Sequence, residues 1–284
     1  MRGLLIMATT MMIGSAVSEE LPMERPLWPN GIADNSIRYD DPDGLREPPA
    51  REGSPSGRNR VFSRVSVPTY AIHRPEKDAG VGLVILPGGG SRDIWIDREG
   101  HDLAIALKAY GITSLVLKYR TNASVTDSTR AYPRDVYNQA AQADATEALR
   151  ILRKDGPQRK VGLSGFSAGG GLTLATALRV DAVVRPDFLG LFYPSVRQSF
   201  LDADHKSIGV PPVFMMNAFD DTKTKVGRCL TLFTALQEAG IRSELHVFGR
   251  GGHGFDLGYG KGKAVAGWLT SFIAWMRDEA FLSE

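Results

Sequence analysis

Lys160-Val161-Gly162-Leu163-Ser164-Gly165-Phe166-Ser167-Ala168-Gly169-Gly170-Gly171 is the stretch that decides the fold. A short apolar run leads into Gly165-Phe166-Ser167-Ala168-Gly169, and small residues follow. This is the G-x-S-x-G pattern of a nucleophilic serine held on a sharp strand-to-helix turn. The glycines are there for steric reasons. Such a turn strains the backbone of Ser167, and side chains two places before and after it would collide, so Gly165 and Gly169 carry none. Ala168 to Gly171 then let the following helix pack close to its neighbours. Five positions with three fixed arise by chance, so the flanking sequence must carry the reading: a strand before, a helix after, and partners downstream in the right order.

The flanks supply all three. Val81–Leu86 is a continuous apolar run, as expected for a strand covered on both faces, and it ends at Pro87-Gly88-Gly89-Gly90. The pattern predicts a helix over residues 97–110, closed by Gly111, and a strand over 112–117. A long helix follows over 134–154, with Ala145, Ala148, Leu149 and Leu152 on one face. Strands are expected at 161–163, 188–193, 213–217 and 244–248, and helices at 168–179, 226–239 and 263–277. Residues 61–66 and 69–73 read as two edge strands around Pro68. Strands alternating with helices at this spacing mean an α/β domain with a mostly parallel sheet and helices on both faces. Ligands bind such sheets at the carboxyl ends of the strands. The Gly88 loop, Ser167, Asp221 and His253 each follow a predicted strand.

A serine hydroxyl needs a base to take its proton, and the base needs a third group to hold its tautomer and offset its charge. Of the five histidines, His253 is the candidate base. It sits in Gly251-Gly252-His253-Gly254 after the last strand, where a loop can carry an imidazole back to Ser167. His73 and His246 lie in predicted strands and read as structural. The third group should be a carboxylate after the strand preceding the histidine strand, where Asp220 and Asp221 stand side by side. Adjacent residues point differently, so only one can meet the imidazole. Asp221 is favoured, with Asp220 as a turn or capping residue. Attack on an ester puts negative charge on the carbonyl oxygen, which needs backbone N–H donors. Ala168 is one candidate, at a helix start, and Gly89 and Gly90 are two more. Trp95, just after that loop, either stacks on a sugar ring or packs the next helix.

The chain has 284 residues, 43% of them hydrophobic, enough for one large domain with a sizeable core. Lys and Arg number 34 against 32 Asp and Glu, a balance that gives no reason to expect nucleic acid or an acidic membrane surface as partner. Residues 1–18 read as an export signal: Arg2, an apolar run over 4–13 too short to span a bilayer, then Ala16-Val17-Ser18 at the cleavage positions. The protein is therefore expected outside the cytoplasm, secreted or periplasmic, with no membrane association once the signal is removed. Residues 19–60 are rich in Pro and Gly and read as an extended arm anchored by Leu27 and Trp28, ahead of a domain over 61–284. The single cysteine, Cys229, lies on an apolar helix face with Leu232, Phe233 and Leu236 and reads as a buried, inert thiol. Oligomeric state is left open.

These residues resemble the α/β-hydrolase superfamily, and more narrowly its exported carbohydrate esterases of the acetylxylan-esterase-like and feruloyl-esterase-like kind. The matching segments are Leu86-Pro87-Gly88-Gly89-Gly90 with Glu99-Gly100, Gly165-Phe166-Ser167-Ala168-Gly169-Gly170, Asp220-Asp221, Gly252-His253-Gly254-Phe255 and the opening Leu27-Trp28-Pro29-Asn30-Gly31. The resemblance implies hydrolysis of short acyl esters, often acetyl groups on plant cell-wall polysaccharide, with no metal or other cofactor. By position it implies Ser167 as nucleophile, His253 as base, Asp221 as acid, and Gly89, Gly90 and Ala168 as oxyanion donors. Three places depart from the family pattern. Pro87 stands where relatives often have histidine, Ser91 where many have an aromatic residue, and Thr222-Lys223-Thr224-Lys225 where an apolar pair and proline are common. The rival readings are a peptidase of the prolyl-oligopeptidase type and a non-catalytic binding module on the same scaffold.

Overall fold

Short apolar runs bounded by turn residues and buried along their whole length form the interior strands at the centre of this molecule. The computed structural model describes residues 19–32, 37–122, 131–156 and 160–283. The export segment at 1–18 lies outside the described residues. The strands are β1 (Arg25–Pro26), β2 (Gly44–Arg46), β3 (Val61–Ser63), β4 (Thr69–His73), β5 (Val81–Leu86), β6 (Asp93–Ile94), β7 (Ile112–Lys118), β8 (Lys160–Phe166), β9 (Leu189–Phe192), β10 (Val213–Ala218) and β11 (Ser243–Phe248). The helices are α1 (Asp102–Lys108), α2 (Arg134–Lys154), α3 (Ala168–Ala177), α4 (Gln198–Leu201), α5 (His205–Ile208), α6 (Val226–Glu238), α7 (Lys263–Ala266) and α8 (Trp268–Asp278).

The main sheet runs β1-β4-β7-β5-β8-β9-β10-β11. From β7 to β11 every pairing is parallel, while β4 and β1 are antiparallel to their neighbours. The chain leaves β5 for β7 on one side, then returns to add β8 on the other. The crevice at the carboxyl ends of β5 and β8 is thus a topological switch point, where sheets of this kind receive ligands. Helices cover both faces. A Cβ on Gly165 would meet the backbone of Gly169 in α3, whereas the next residue, Phe166, packs its ring on Trp268 of α8. Successive strand residues point to opposite faces, so α3 and α8 lie on opposite sides of the sheet.

Several elements differ from the sequence reading. Residues 61–66 and 69–73 are not a pair of edge strands. β3 belongs to a separate three-stranded sheet, β2-β3-β6, and β4 is covered on its outer side by β1. The helix expected over 97–110 begins as a π-helical turn, Asp97–His101, before α1. The last helix is broken into α7 and α8 at Gly267. The arm joins both sheets through β1 and β2. Leu27 is buried, and the Trp28 indole donates to Asp144 Oδ1 at 2.9 Å, beside the buried Arg120–Asp144 ion pair. Cys229 is fully buried, and burial raises its thiol to about 11.

Two histidines set an acid limit on the fold. His73 Nε2 and His101 Nδ1 lie 2.8 Å apart and both rings are buried. Burial lowers His73 to about 4 and His101 well below its ordinary value of 6.5. Between those values the unfolded chain holds more protons than the folded one, so stability falls as pH drops from about 6.5 through about 4. For His73 the loss saturates near roughly 3 kcal/mol. Thermal melts from pH 7 to pH 4 should show this fall, and His73→Gln should make it shallower, leaving the part due to His101. Parallel curves for the two proteins would reject the assignment.

Candidate active site

Ser167 sits between β8 and α3 with φ 51° and ψ −114°, a conformation that a non-glycine residue adopts only under external constraint. Three hydrogen bonds supply the constraint. The Ser167 N–H donates to the Phe192 carbonyl at 2.9 Å, and its own carbonyl accepts from Gly171 N at 3.1 Å and Ser195 N at 2.8 Å. The flanking glycines are obligatory. A Cβ on Gly165 would lie 2.4 Å from the backbone of Gly169, and one on Gly169 would lie 2.0 Å from the Leu86 carbonyl oxygen.

The loop after β11 brings His253 to this turn. Ser167 Oγ is 2.8 Å from His253 Nε2, and His253 Nδ1 is 2.7 Å from Asp221 Oδ2. The carboxylate can only accept, so Nδ1 carries the proton and Nε2 is free to accept from the serine hydroxyl. Burial alone would raise the Asp221 carboxyl. Hydrogen bonds from His253, Thr224 and Lys223 outweigh it and hold the group below the usual carboxylate range. Asp220 points elsewhere: its Oδ1 accepts from Gly251 N at 3.0 Å and Gly252 N at 2.8 Å, tying down the loop that carries His253.

Gly88, Gly89 and Gly90 face Ser167 from the end of β5. Gly88 N–H is taken up by the buried Glu99 carboxylate at 2.8 Å. Gly89 and Gly90 have φ of +145° and +66°, and a Cβ on Gly89 would lie 1.9 Å from the Asp93 carbonyl oxygen, so no other residue fits there. The N–H groups of Gly89, Gly90 and Ala168 donate to no group among the described residues. All three residues line a cleft of about 540 Å³ together with Ser167, His253 and Trp95. One face of the Trp95 ring is covered by the Arg98 guanidinium, 4.1 Å from the ring centre. Among the described residues no group of three or more His, Cys, Asp or Glu is arranged to hold a metal ion, and no helix is long and apolar enough to cross a membrane.

Comparison with known proteins gives the same architecture. The alpha/beta hydrolase fold family matches residues 130–208, which contain Ser167. The structure superimposes on an acetyl ester-xyloside bifunctional hydrolase from Caldicellulosiruptor lactoaceticus with a TM-score of 0.64 and 24% identity, covering 93% of this chain and 99% of that one. The chain has the α/β-hydrolase fold. A carboxylesterase from Lactobacillus plantarum aligns with this chain at a TM-score of 0.60 and 16% identity, over 85% of this chain and 99% of the other. The prolyl oligopeptidase family matches residues 195–281, which contain Asp221 and His253. In sequence, the chain is 28% identical over 217 residues to an acetylxylan esterase of Xylanibacter ruminicola, a match covering 65% of this chain and 43% of that protein. The chain spans less than half the length of the curated relatives it matches.

Thr224, Tyr193 and Arg51 matter to the site although the sequence reading gave them no role in it. Thr224 belongs to the segment that departs from the family pattern. Its hydroxyl lies 2.8 Å from Asp221 Oδ2, and its N–H and that of Lys223 donate to Asp221 Oδ1 at 2.9 and 2.7 Å. The departure therefore forms a turn that fixes the carboxylate. Tyr193 donates to Glu99 Oε1 at 2.8 Å, and its ring packs against the His253 ring with centroids 5.1 Å apart. Arg51, from the arm, donates to the Gly254 carbonyl at 3.1 Å and pairs with Asp256 at 2.6 Å, clamping the chain just after His253. Burial pushes the Asp256 carboxyl up to about 6, against the pull of Arg51 and Arg98. The Tyr193 and Arg51 contacts join residues distant in the chain and have no local pattern, whereas those of Lys223 and Thr224 with Asp221 close a turn of two and three residues.

Proposed function

We propose that this α/β-hydrolase is a serine esterase that removes short acyl groups, acetyl above all, from plant cell-wall carbohydrate. The observation that carries the reading is the unbroken relay Ser167 Oγ–His253 Nε2 and His253 Nδ1–Asp221 Oδ2, at 2.8 and 2.7 Å, beside three undonated backbone N–H groups. Ser167 Oγ attacks the ester carbonyl carbon while His253 Nε2 takes the hydroxyl proton, and Asp221 offsets the imidazolium charge. The carbonyl oxygen becomes an oxyanion facing Gly89, Gly90 and Ala168. Losing one such donor typically costs about 10² to 10³ in turnover. When the carbon–oxygen bond to the alcohol breaks, His253 gives the proton to the leaving alcohol. Water then attacks the acyl-enzyme by the same route and releases the acid.

The acetyl and carbohydrate reading is supported by the similarity to the acetylxylan esterase and by a cleft that Trp95 helps to line. Export through residues 1–18 is part of the proposal and would bring the enzyme to polymeric substrates. The second reading is a peptidase, favoured by the match to the prolyl oligopeptidase family over 195–281. One set of assays separates them: acetate release from acetylated xylan, hydrolysis of p-nitrophenyl esters of increasing acyl length, and cleavage of proline-containing peptides. Acetate release and a preference for acetyl over long acyl chains are expected. Peptide cleavage without ester hydrolysis would overturn the proposal in favour of the second reading.

A further inference from the structure

The walls of the cleft carry an unbalanced charge. Arg92, Arg98, Arg134, Arg197 and Lys223 all line it, against two carboxylates besides the relay, Asp93 and Glu99. Asp93 is engaged by Arg46 at 2.9 Å, and Glu99 is buried in hydrogen bonds to Gly88 and Tyr193. Arg98 has Asp256 as its partner at 3.4 Å. Arg92, Arg134, Arg197 and Lys223 make no ion pair with any described residue. The whole chain is only +2, so this is a local concentration rather than general basicity.

Arg134 and Arg197 make the strongest case. Arg197 is half-buried, and burial followed by the nearby positive charge of Arg134 lowers its guanidinium below the ordinary arginine value. Its polar contact is a 3.3 Å hydrogen bond to the neutral Asn138 amide. Arg134 is the first residue of α2, where the helix dipole favours an acid and opposes a cation. Two like charges act on each other here, and Asp135, beside Arg134 in the same turn, forms no ion pair with either among the described residues. An anionic group on the substrate would relieve both costs.

We infer that the substrate is an acyl ester of an anionic sugar, whose carboxylate or sulfate group is held between Arg134 and Arg197 while its ester lies at Ser167. The inference rests on the esterase reading of this same cleft. Paired guanidinium groups suit oxyanions because each offers parallel N–H donors to two oxygens. It also accounts for a cleft that is more polar than an apolar acyl chain would need.

The test compares kcat/KM for acetate release from three matched compounds: monoacetylated methyl glucuronide, methyl glucoside and methyl glucoside 6-sulfate. At low salt at least one anionic ester should exceed the neutral one by about tenfold or more, the size of one charge-assisted hydrogen bond. Added salt should narrow the gap. The two anionic compounds decide between carboxylate and sulfate. In Arg134→Gln, Arg197→Gln and the double variant, each checked for folding by circular dichroism, the anionic-to-neutral ratio should fall, reaching near one in the double variant. Arg134 is exposed, so its variant keeps the test sound if burial makes Arg197→Gln unstable. A wild-type ratio near one, or a ratio unchanged in a folded variant, overturns the inference and leaves the esterase reading standing. If no ester is hydrolysed, the esterase reading falls instead. Titration with glucuronate, glucose and glucose 6-sulfate then decides the cleft: anion binding that is lost in the variants sustains it, and absence of anion binding overturns it.

Discussion

Ser167→Ala should lower p-nitrophenyl acetate hydrolysis by about 10⁴- to 10⁶-fold, the range seen when a serine nucleophile acting with its base is removed. The substitution deletes one oxygen and nothing else. The hydrogen bonds that hold the strained turn use the Ser167 N–H and carbonyl, not its side chain, so the backbone stays in position. Alanine has the same Cβ as serine and meets the same positive φ. The melting temperature should therefore change little while turnover collapses. The small remaining rate reflects the N–H groups of Gly89, Gly90 and Ala168, which still polarise a bound ester. Initial rates and thermal melts on the same samples check both halves. Full activity in a folded Ser167→Ala protein would remove this residue as nucleophile.

Asp221→Asn should cost about 10⁴-fold in kcat, by analogy with loss of the acid from a serine relay. In the proposed mechanism the carboxylate fixes the proton on His253 Nδ1 and offsets the charge that appears on the ring when Ser167 is deprotonated. An amide does neither well. It can turn its N–H₂ towards Nδ1, which moves the ring proton to Nε2, where it blocks acceptance from the serine. Asp220→Asn should cost no more than roughly tenfold, because an amide oxygen still accepts from the Gly251 and Gly252 N–H groups. Measured side by side, the two variants distinguish neighbours that share charge, size and exposure to the same loop. A larger loss at Asp220 would reverse the assignment.

The parts of the fold legible in sequence are those whose pattern is a consequence of burial. Every residue of Val81–Leu86 is buried, and the strand begins and ends where its apolar run does. The bounds of Arg134–Lys154 follow from an alanine-rich face packed on the sheet. Gly165 was legible for another reason: the clash it avoids, with Gly169, is local to the turn, whereas Gly169 makes room for the Leu86 carbonyl that the neighbouring strand brings up. What could not be read is decided elsewhere in the chain. β1, β2 and β6 have two or three residues each, too few for any periodicity, and exist only because a partner strand lies alongside. The break at Gly267 interrupts a face whose apolar spacing continues straight through it. In the site, the residues after predicted strands were legible because the topology gathers strand ends on one rim. Glu99 and Thr224 act through contacts of their own folded surroundings. The cationic wall comes from segments between residues 92 and 223, so a whole-chain charge count conceals it.

The Arg51 clamp bears on how this protein should be cut and joined. A shortened chain starting at residue 61 would retain Ser167, Asp221, His253 and all three amide donors. It would lack the guanidinium that braces the segment just beyond the imidazole, the Trp28 tether to α2, and β1, one of the two edge strands of the main sheet. The smallest working unit therefore begins upstream of residue 25. Fusion partners, affinity handles and engineered cleavage sites belong ahead of that point, outside the strap.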